Sequence, residues 1–298
     1  ASGTAGKPIA LIGLSHLGEI TIDATHTENQ VVLTAGYDYW VISGFTLKNA
    51  ARFGFDASGS KNLVLRNLIA KDNTLDGFHV VGADGSVFEN LTAHHNGNDG
   101  FYLYNSPNCE IRNYLAYQNT YAGLYAEKDE NLKVKFATIH NNPLGGIKVQ
   151  TKPITVSHSI VTGNGTFGIK EYSTSGTVVE YSDVWGNVGD TGAYAGTGNI
   201  YADPKYRNAA SGDFLLKQVI AGDAENSPCM DAGGALAWDL GVARSSTRGD
   251  QGWDAFKADM GRHETPAEEV DNIAPAIVLD TPQDGATISD KADIAGRV

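Results

Sequence analysis

Cysteine is scarce in this chain of 298 residues, with Cys109 and Cys229 as its only two. The two cysteines lie in unrelated sequence settings, so two free thiols are expected rather than a disulfide, and no zinc-ligand spacing is present. The sequence also lacks an apolar run of about 18 residues, the length that spans a membrane as a helix. No signal peptide is recognisable, but a chain that starts at Ala1 without methionine is typical of a processed secreted protein.

Positive charge is scarce as well. The 22 Lys and Arg residues are outnumbered by 35 Asp and Glu residues, which gives a formal net charge of -13. Nucleic acids need a basic surface, so this balance argues against a nucleic-acid partner. An acidic glycan would need a local basic patch or a bound cation.

The most informative feature is a repeat within residues 54–172. Glycine followed by an apolar residue recurs at steps of 23, 23, 23, 23 and 22 residues, at Gly54, Gly77, Gly100, Gly123, Gly146 and Gly168. A second column with this period is predicted to contain Asn67, Asn90, Asn113, Phe136, Ser159 and Ser182. A third column contains Asn73, Asn96, Asn119, Asn142, Asn164 and Asn187. Repeats of this length indicate a solenoid, in which each unit is covered only by its neighbours.

Each unit contains three short apolar runs separated by Gly, Asp and Asn, and runs this short are strands rather than helices. The pattern predicts an all-β fold, a right-handed parallel β-helix with about 23 residues and three strands per coil. Asparagine fits the short bends because it tolerates the left-handed backbone conformation and can bond to the asparagine of the next coil. A leucine-rich repeat, the alternative, needs Leu at fixed positions and a helical segment, and both are missing.

The repeat motifs resemble a known group of enzymes. The Gly-led strand, the following Asn-containing segment and the Asp-Gly-Phe tripeptides at Asp76 and Asp99 resemble the β-helix repeats of pectate lyases and related polysaccharide lyases. Residues 37–45, together with Asn98 and Asp99, are similar to polysaccharide lyase family 9 in particular. This resemblance covers roughly residues 5–200 and implies a secreted enzyme with its substrate groove on the Gly-led strands. Because the same repeat serves epimerases, hydrolases and phage tailspikes, it leaves the substrate open.

Strand alternation assigns the residue after each repeat glycine to the interior and the next one to the surface. The predicted inward column is Phe55, Phe78, Phe101, Leu124, Ile147 and Ile169. The first outward column is Asp56, His79, Tyr102, Tyr125, Lys148 and Lys170. The second outward column is Ser58, Val81, Tyr104, Glu127, Gln150 and Tyr172. Aromatic faces suit sugar rings, and polar tips suit hydroxyls and carboxylates, although an exposed sheet with stacked tyrosines is the alternative. The predicted substrate-binding residues are Tyr102, Tyr104, Gln150 and Tyr172.

Two lysines in one outward column on neighbouring coils are the basis of a catalytic hypothesis. Ammonium groups this close disfavour each other's charge, which makes a neutral lysine available as a base. In β-elimination, one lysine would neutralise a uronate carboxylate while the other takes the adjacent proton. A tyrosine or histidine of the column would protonate the leaving oxygen, and a carboxylate would orient a lysine; two solvated surface lysines are the alternative. The candidate catalytic residues are Lys148, Lys170, Tyr125, His79 and Glu127, with Tyr102 as a further possible acid.

The resemblance to family 9 lyases also implies calcium, held by aspartates in an Asp-Asp-Gly-Phe-Asp-like stretch. The match is partial, because His79 and Tyr102 stand after the phenylalanine and only Asp56 keeps an acid there. Calcium needs about six to eight oxygen ligands, several of them carboxylate. The alternative is that Asp-Gly only forms the turn. The candidate calcium ligands are Asp72, Asp76 and Asp99.

The sequence divides into three parts after the period is lost near residue 187. Residues 1–264 are predicted to form the β-helix, with C-terminal capping coils from about residue 199 that resemble those of secreted β-helix proteins. Residues 265–274 are rich in Pro, Ala and acid and are predicted to be a linker. Residues 275–298 resemble the opening strands of a bacterial immunoglobulin-like module and are too few to bury a core. We therefore expect further modules beyond Val298 in the natural protein.

The leading functional hypothesis is a secreted or cell-surface lyase that splits a uronic-acid polysaccharide by β-elimination, acting as a monomer without membrane insertion. A glycoside hydrolase is the enzyme alternative, and it would use two carboxylates about 5 to 9.5 Å apart. Asp56 and Glu127 are three coils apart, roughly 14 Å, whereas Asp129 or Glu130 would lie near Glu127. A non-catalytic carbohydrate-binding or adhesion module is the alternative from another class.

Overall fold

The computed structural model describes residues 1–13, 19–25, 28–189, 194 and 196–264, together with two short strands near the C-terminus. Its body is a parallel β-helix of about seven coils, as the repeat predicts. Helical structure in the described residues is limited to short 3-10 turns, including Ala209–Ser211 and Val219–Ala221. None of the described helices has the length and apolarity needed to cross a membrane.

The first sheet contains one strand from each of seven coils, paired in parallel with those of the adjacent coils. These strands are β3 (Gln30–Leu33), β6 (Phe53–Ser58), β8 (Phe78–Val81), β10 (Phe101–Tyr104), β13 (Ala122–Glu127), β16 (Gly145–Gln150) and β19 (Ile169–Tyr172). Because every coil contributes in register, equivalent side chains stack in columns along the helix axis.

The other two sides of the coil form one sheet of 14 strands, because two of its strands, β7 (Val64–Lys71) and β9 (Val87–His94), run through the bend that separates these sides. One side contains β1 (Ile9–Ile12), β4 (Trp40–Ser43), β7 (Val64–Lys71), β9 (Val87–His94), β11 (Glu110–Arg112), β14 (Lys133–Lys135), β17 (Thr155–Ser157) and β20 (Val178–Glu180). The other side adds β2 (Thr21–Asp23), β5 (Thr46–Lys48), β12 (Leu115–Tyr117), β15 (Thr138–His140), β18 (Ile160–Thr162) and β21 (Asp183–Trp185).

The predicted inward column is confirmed. Its first five residues are fully buried and Ile169 is 7% exposed. Phe101 lies at its centre, with ring centroids 5.6 Å from Phe78, 5.1 Å from Phe88 and 6.0 Å from Tyr114. Aromatic pairs at such distances add to the stabilisation from burial. The core is therefore a continuous stack that runs the length of the coils.

Hydrogen-bonded asparagine ladders run along two bends. Asn67, Asn90 and Asn113 all have positive φ, and their side chains bond from coil to coil as predicted. These three amides are exposed or half-buried. The column from Asn73 to Asn187 is buried, and each side-chain amide donates to the carbonyl oxygen of the next asparagine at 2.9 to 3.1 Å. The buried ladder is thus the longer of the two.

The predicted continuation of the Asn67 column is wrong after Phe136. His158 and Tyr181 have the positive φ of that bend, not Ser159 and Ser182. The coil that follows Phe136 is one residue shorter, which moves both serines to the next position. There the Ser159 hydroxyl accepts the Ala137 N–H at 3.0 Å.

The structure of residues 201–264 differs from the capping coils that were expected there. Ile200 makes one further parallel bridge with Asp183, and the chain then forms an antiparallel pair, β22 (Tyr206–Asn208) and β23 (Asp213–Leu216). The segment folds back along the outside of the coils: Asn113 exchanges two hydrogen bonds with the backbone of His263. The segment closes over buried side chains that include Phe136, Ile160, Leu216, Cys229 and Met260.

Two further predictions concern the cysteines and the C-terminal residues. Cys109 and Cys229 are both free and buried, as expected. In the region predicted to begin an immunoglobulin-like module, β24 (Val278–Thr281) pairs antiparallel with β25 (Ala295–Arg297). The linker and the rest of the module lie outside the described residues, so that assignment stays a prediction.

Candidate active site

The two outward columns of the first sheet, from Asp56 and Ser58 to Lys170 and Tyr172, form one surface, here called the candidate face. Their registers are as predicted: His79 pairs with Tyr102 and Tyr125 pairs with Lys148. The last pair in the first column is Lys148 with Lys170, on adjacent coils. The strand registers of this surface are therefore as the sequence pattern predicts.

Aromatic rings form a continuous row along the candidate face. The His79 ring lies 4.0 Å from Phe53 at an interplanar angle of 11°, and 5.3 Å from Tyr102. Tyr102 in turn contacts the edge of Tyr125 at 5.2 Å and stacks near Tyr104 at 6.4 Å. Because these rings support one another, the row is a rigid apolar strip with polar tips, of the kind that suits sugar rings.

The lysines continue this row at its C-terminal end. The Lys148 ammonium nitrogen lies 3.8 Å from the centroid of the Tyr125 ring and 5.5 Å from that of Tyr172. The Lys170 nitrogen lies 5.1 Å from Tyr172 and 5.8 Å from Phe167. Cation–π attraction favours these positions over free rotation into solvent. Both lysines therefore point across the face, and Lys170 is the more exposed.

Tyr125 is the centre of a polar network. Its hydroxyl lies 2.9 Å from Glu127 Oε2 and 2.8 Å from Gln150 Oε1, while Gln150 Nε2 donates to Glu127 Oε1 at 3.4 Å. Burial, followed by the hydrogen bond and charge of Glu127, raises the pKa of Tyr125 well above its usual value. The phenol therefore keeps its proton at neutral pH and can donate it.

Two sequence-based expectations about this face need correction. Glu127 was expected to orient a lysine, but its oxygens accept from Tyr125 and Gln150 instead. Asp56 was expected to be exposed, but it is 6% exposed, because Gln30, Ser58 and His79 surround it at 3.1, 2.7 and 3.4 Å. Burial alone would raise the pKa of Asp56, but the hydrogen bonds from His79 and Ser58 outweigh burial and lower it.

Lys128 is a member of this surface that sequence reasoning missed. Its ammonium group donates to the Tyr104 hydroxyl at 2.7 Å and lies 4.8 Å from the ring centroid. The residue has a φ of 63° in the turn after β13, so strand alternation could not assign it to a face. It adds a third cation beside the second outward column.

The proposed calcium ligands do not assemble into a site. Asp76 and Asp99 are each 3% exposed, whereas Asp72 is exposed. Asp76 Oδ1 accepts the Asp99 N–H at 3.1 Å, and Asp99 Oδ1 accepts the Ala122 N–H at 2.9 Å. Within the part of the chain that the structure describes, no three His, Cys, Asp or Glu side chains are arranged to hold an ion. Asp76 and Asp99 act in the turns, which was the alternative interpretation.

Several carboxyl groups close to the face are buried. Burial first, and then the charge of Asp76, raise the pKa of Asp99 to about 7. Burial likewise raises the pKa of Asp129 to about 7, and its Oδ1 accepts the Ser106 N–H at 2.7 Å. Asp129 is 1% exposed, so it supports the turn after β13 and does not stand beside Glu127 on the surface.

A cavity of about 290 Å³ lies away from the candidate face. It is formed where the C-terminal segment meets β12 and β15, and its lining includes Tyr117, His140 and Phe214. These rings pack against one another, with centroids 5.1 to 5.4 Å apart for the two pairs made by Phe214. The cavity is therefore a packing space between two parts of the fold.

Comparison with known proteins agrees with this architecture. Residues 21–153 match the family model for the right-handed beta helix region. Pectate lyase Pel9A is similar in structure with a TM-score of 0.63 and 14% identity, over 89% of this chain and 82% of its own. The periplasmic alginate epimerase AlgG is similar with a TM-score of 0.51 and 16% identity, over 64% of this chain and 54% of its own. Among curated proteins, none matches the sequence significantly. The chain is a right-handed parallel β-helix protein.

Proposed function

We propose that the protein is an extracellular polysaccharide-degrading enzyme that cleaves a uronic-acid polysaccharide by β-elimination on the candidate face. The observation that carries this proposal is the pair Lys148 and Lys170 on adjacent coils, beside the protonated phenol of Tyr125. Lys170 as the base, Lys148 as the cation and Tyr125 as the acid together supply the three groups that β-elimination requires. The shared fold with a pectate lyase and an alginate epimerase supports a carbohydrate substrate.

The roles follow from position. Lys148, held against Tyr125, neutralises the uronate carboxylate and so makes the proton next to it more acidic. Lys170, exposed at the end of the row, takes that proton. The electron pair left behind forms the new carbon–carbon double bond as the glycosidic carbon–oxygen bond breaks. Tyr125 donates its proton to the leaving oxygen, and Glu127 stabilises the phenol in position until then.

The proposed mechanism uses no calcium, because Lys148 supplies the positive charge that a cation would give. One carboxyl oxygen of Asp76 and one of Asp99 accept backbone N–H groups. Hydrolysis is also less well supported, since Asp129 is buried and Asp56 stands three coils from Glu127. A non-catalytic binding module would use the same aromatic row without needing paired lysines.

A panel of uronic-acid polysaccharides separates these functions. We expect cleavage that yields unsaturated products absorbing in the ultraviolet, because elimination leaves a double bond conjugated to the carboxylate. New reducing ends without that absorbance would mean hydrolysis. Binding with neither signal for any polymer would mean a carbohydrate-binding module, and the proposal would then be wrong.

A further inference from the structure

The charge of the candidate face changes along the helix axis. At its N-terminal end the first outward column begins with Asp56, whose pKa is held below its usual value despite burial, so the carboxylate is ionised at neutral pH. At its C-terminal end the column finishes with Lys148 and Lys170. The two ends are about four coils apart, roughly 19 Å, which is more than a single sugar covers.

A second row of carboxyl groups lies beside the N-terminal end of the face. Asp76 and Asp99 lie in the turns that lead into β8 and β10, directly before the glycines of those coils. Burial raises the pKa of both groups, so each resists the loss of its proton. Arg52 lies 4.6 Å from the Phe53 ring and near Asp76, and the charge of Lys148 acts on Asp99. The two buried carboxyl groups therefore add little negative charge, and the ionised carboxylate that repels a sugar carboxylate at this end is Asp56.

Between the ends, the surface is aromatic. His79 is stacked between Phe53 and Tyr102 at 4.0 and 5.3 Å, which leaves ring edges and one phenol to meet a ligand. Aromatic rings bind the apolar C–H faces of sugars and do not require a carboxylate on them. The coils of His79 and Tyr102 therefore favour an uncharged sugar, whereas the coils of Lys148 and Lys170 favour a uronate.

We propose that the candidate face binds a mixed polysaccharide, with uronic acid over Lys148 and Lys170 and an uncharged sugar over His79 and Tyr102. The proposal rests on the function proposed above, because it assigns the substrate class of the same surface. A polymer made only of uronic acid places a carboxylate beside Asp56, where it is repelled. A mixed polymer avoids that repulsion and keeps the attraction at the lysines.

The test compares two sets of oligosaccharides of equal length, one made only of uronic acid and one alternating uronic acid with an uncharged hexose. Dissociation constants are measured by calorimetry, and unsaturated products are measured in the same samples. We expect the alternating set to bind at least about tenfold more tightly. Equal or tighter binding of the uronic-acid set would overturn the inference, whether or not it is cleaved. Tighter binding of the alternating set without any unsaturated product would uphold the inference and refute the lyase function.

A substitution locates the source of the preference. Asp56→Asn keeps the size and an acceptor oxygen for Ser58 but removes the charge. We expect it to improve binding of the uronic-acid set by about threefold or more, with little change for the alternating set. Asp72→Asn is the matched control, since Asp72 is exposed on a bend away from the face. If the folded Asp56→Asn protein keeps the wild-type ratio of the two dissociation constants, the assignment of the preference to Asp56 is wrong. If the variant does not fold, the comparison of the two oligosaccharide sets on the wild-type protein decides the proposal.

Discussion

Tyr125 is the residue whose proposed role depends most on its neighbours. Its hydroxyl is shared between Glu127 and Gln150, and its ring carries the Lys148 ammonium group. Removing only the hydroxyl of Tyr125 eliminates the proton donor and keeps the ring against which the Lys148 ammonium group packs. We therefore expect Tyr125→Phe to lower turnover at least about a hundredfold while the Michaelis constant changes little. Steady-state kinetics on the cleaved polymer measure both.

Tyr121→Phe is the control for this change, because Tyr121 is 49% exposed and lies outside both outward columns. It should keep wild-type turnover. Full activity in Tyr125→Phe would show that another side chain of the aromatic row protonates the leaving oxygen.

The buried carboxyl group of Asp99 makes the stability of the protein depend on pH. In the folded protein its pKa is about 7, against an ordinary value of 3.8, so the unfolded state binds fewer protons between these values. The free energy of unfolding then falls as the pH rises through this window, by up to about 1.4 kcal/mol per unit of pKa shift. Asp99→Asn keeps an oxygen for the Ala122 N–H and cannot ionise. We expect the variant to gain stability over wild type at about pH 8 more than at about pH 5.

Denaturant unfolding at the two pH values measures this difference, with Asp72→Asn as the exposed control. The wild-type free energy of unfolding is subtracted at each pH because His94 changes stability with pH in the opposite direction. Burial, with the charge of His95, lowers the pKa of His94 to about 4, so its contribution is lost as the pH falls from 6.5. The same gain at both pH values would show that Asp99 is ionised in the folded state.

At the scale of the strand, the packing of the inward column provides a test of the predicted register of the coils. Phe101 is fully buried among Phe78, Phe88 and Tyr114. Phe101→Ala leaves a cavity that the rigid stack of coils cannot close, so we expect a loss of about 3 to 5 kcal/mol in the free energy of unfolding. Urea denaturation followed by tryptophan fluorescence measures it. A loss below about 1 kcal/mol would contradict the packing described here.

The two asparagine ladders differ in burial, and their variants should differ in stability. Asn119 is fully buried, accepts from Asn96 and donates to Ala93 and Asn142. Asn119→Ala leaves those groups unpaired without water, so we expect a cost of roughly 1 to 3 kcal/mol. Asn90→Ala should cost less, because its site is partly open to solvent. Equal melting temperatures for the two variants would show that burial does not decide their contributions.

These elements show which features the sequence could predict. A period of 23 residues with strand alternation defines both faces of β6 to β19, because stacked coils repeat the same geometry. The period does not reveal which asparagine column is buried, since both columns have the same spacing and both begin with three asparagines. It also misplaced Ser159: Glu127 and Gln150 pair 23 residues apart but Lys133 and Thr155 pair 22 apart, so the missing residue lies in the turn before β17.

At the scale of the whole molecule, long-range packing was hidden from the sequence. The segment after Ile200 returns along the coils to reach Asn113, 150 residues earlier in the chain. No local pattern encodes such a contact, and capping coils were expected there because the order of the segments resembles the C-terminal coils of secreted β-helix proteins. Likewise, Lys128 joins the candidate face from a turn, and the aspartates expected to hold calcium support backbone turns instead.

The fold leaves the candidate face as a surface about six coils long, with its proposed chemistry concentrated at one end. Turnover of Lys148→Ala and Lys170→Ala tests this account most directly, and Lys133→Ala on the exposed side of β14 is the control. The account predicts that each of the first two variants loses at least about a hundredfold in the rate of unsaturated product formation, with wild-type stability and with Lys133→Ala fully active. Wild-type rates in both Lys148→Ala and Lys170→Ala would contradict it.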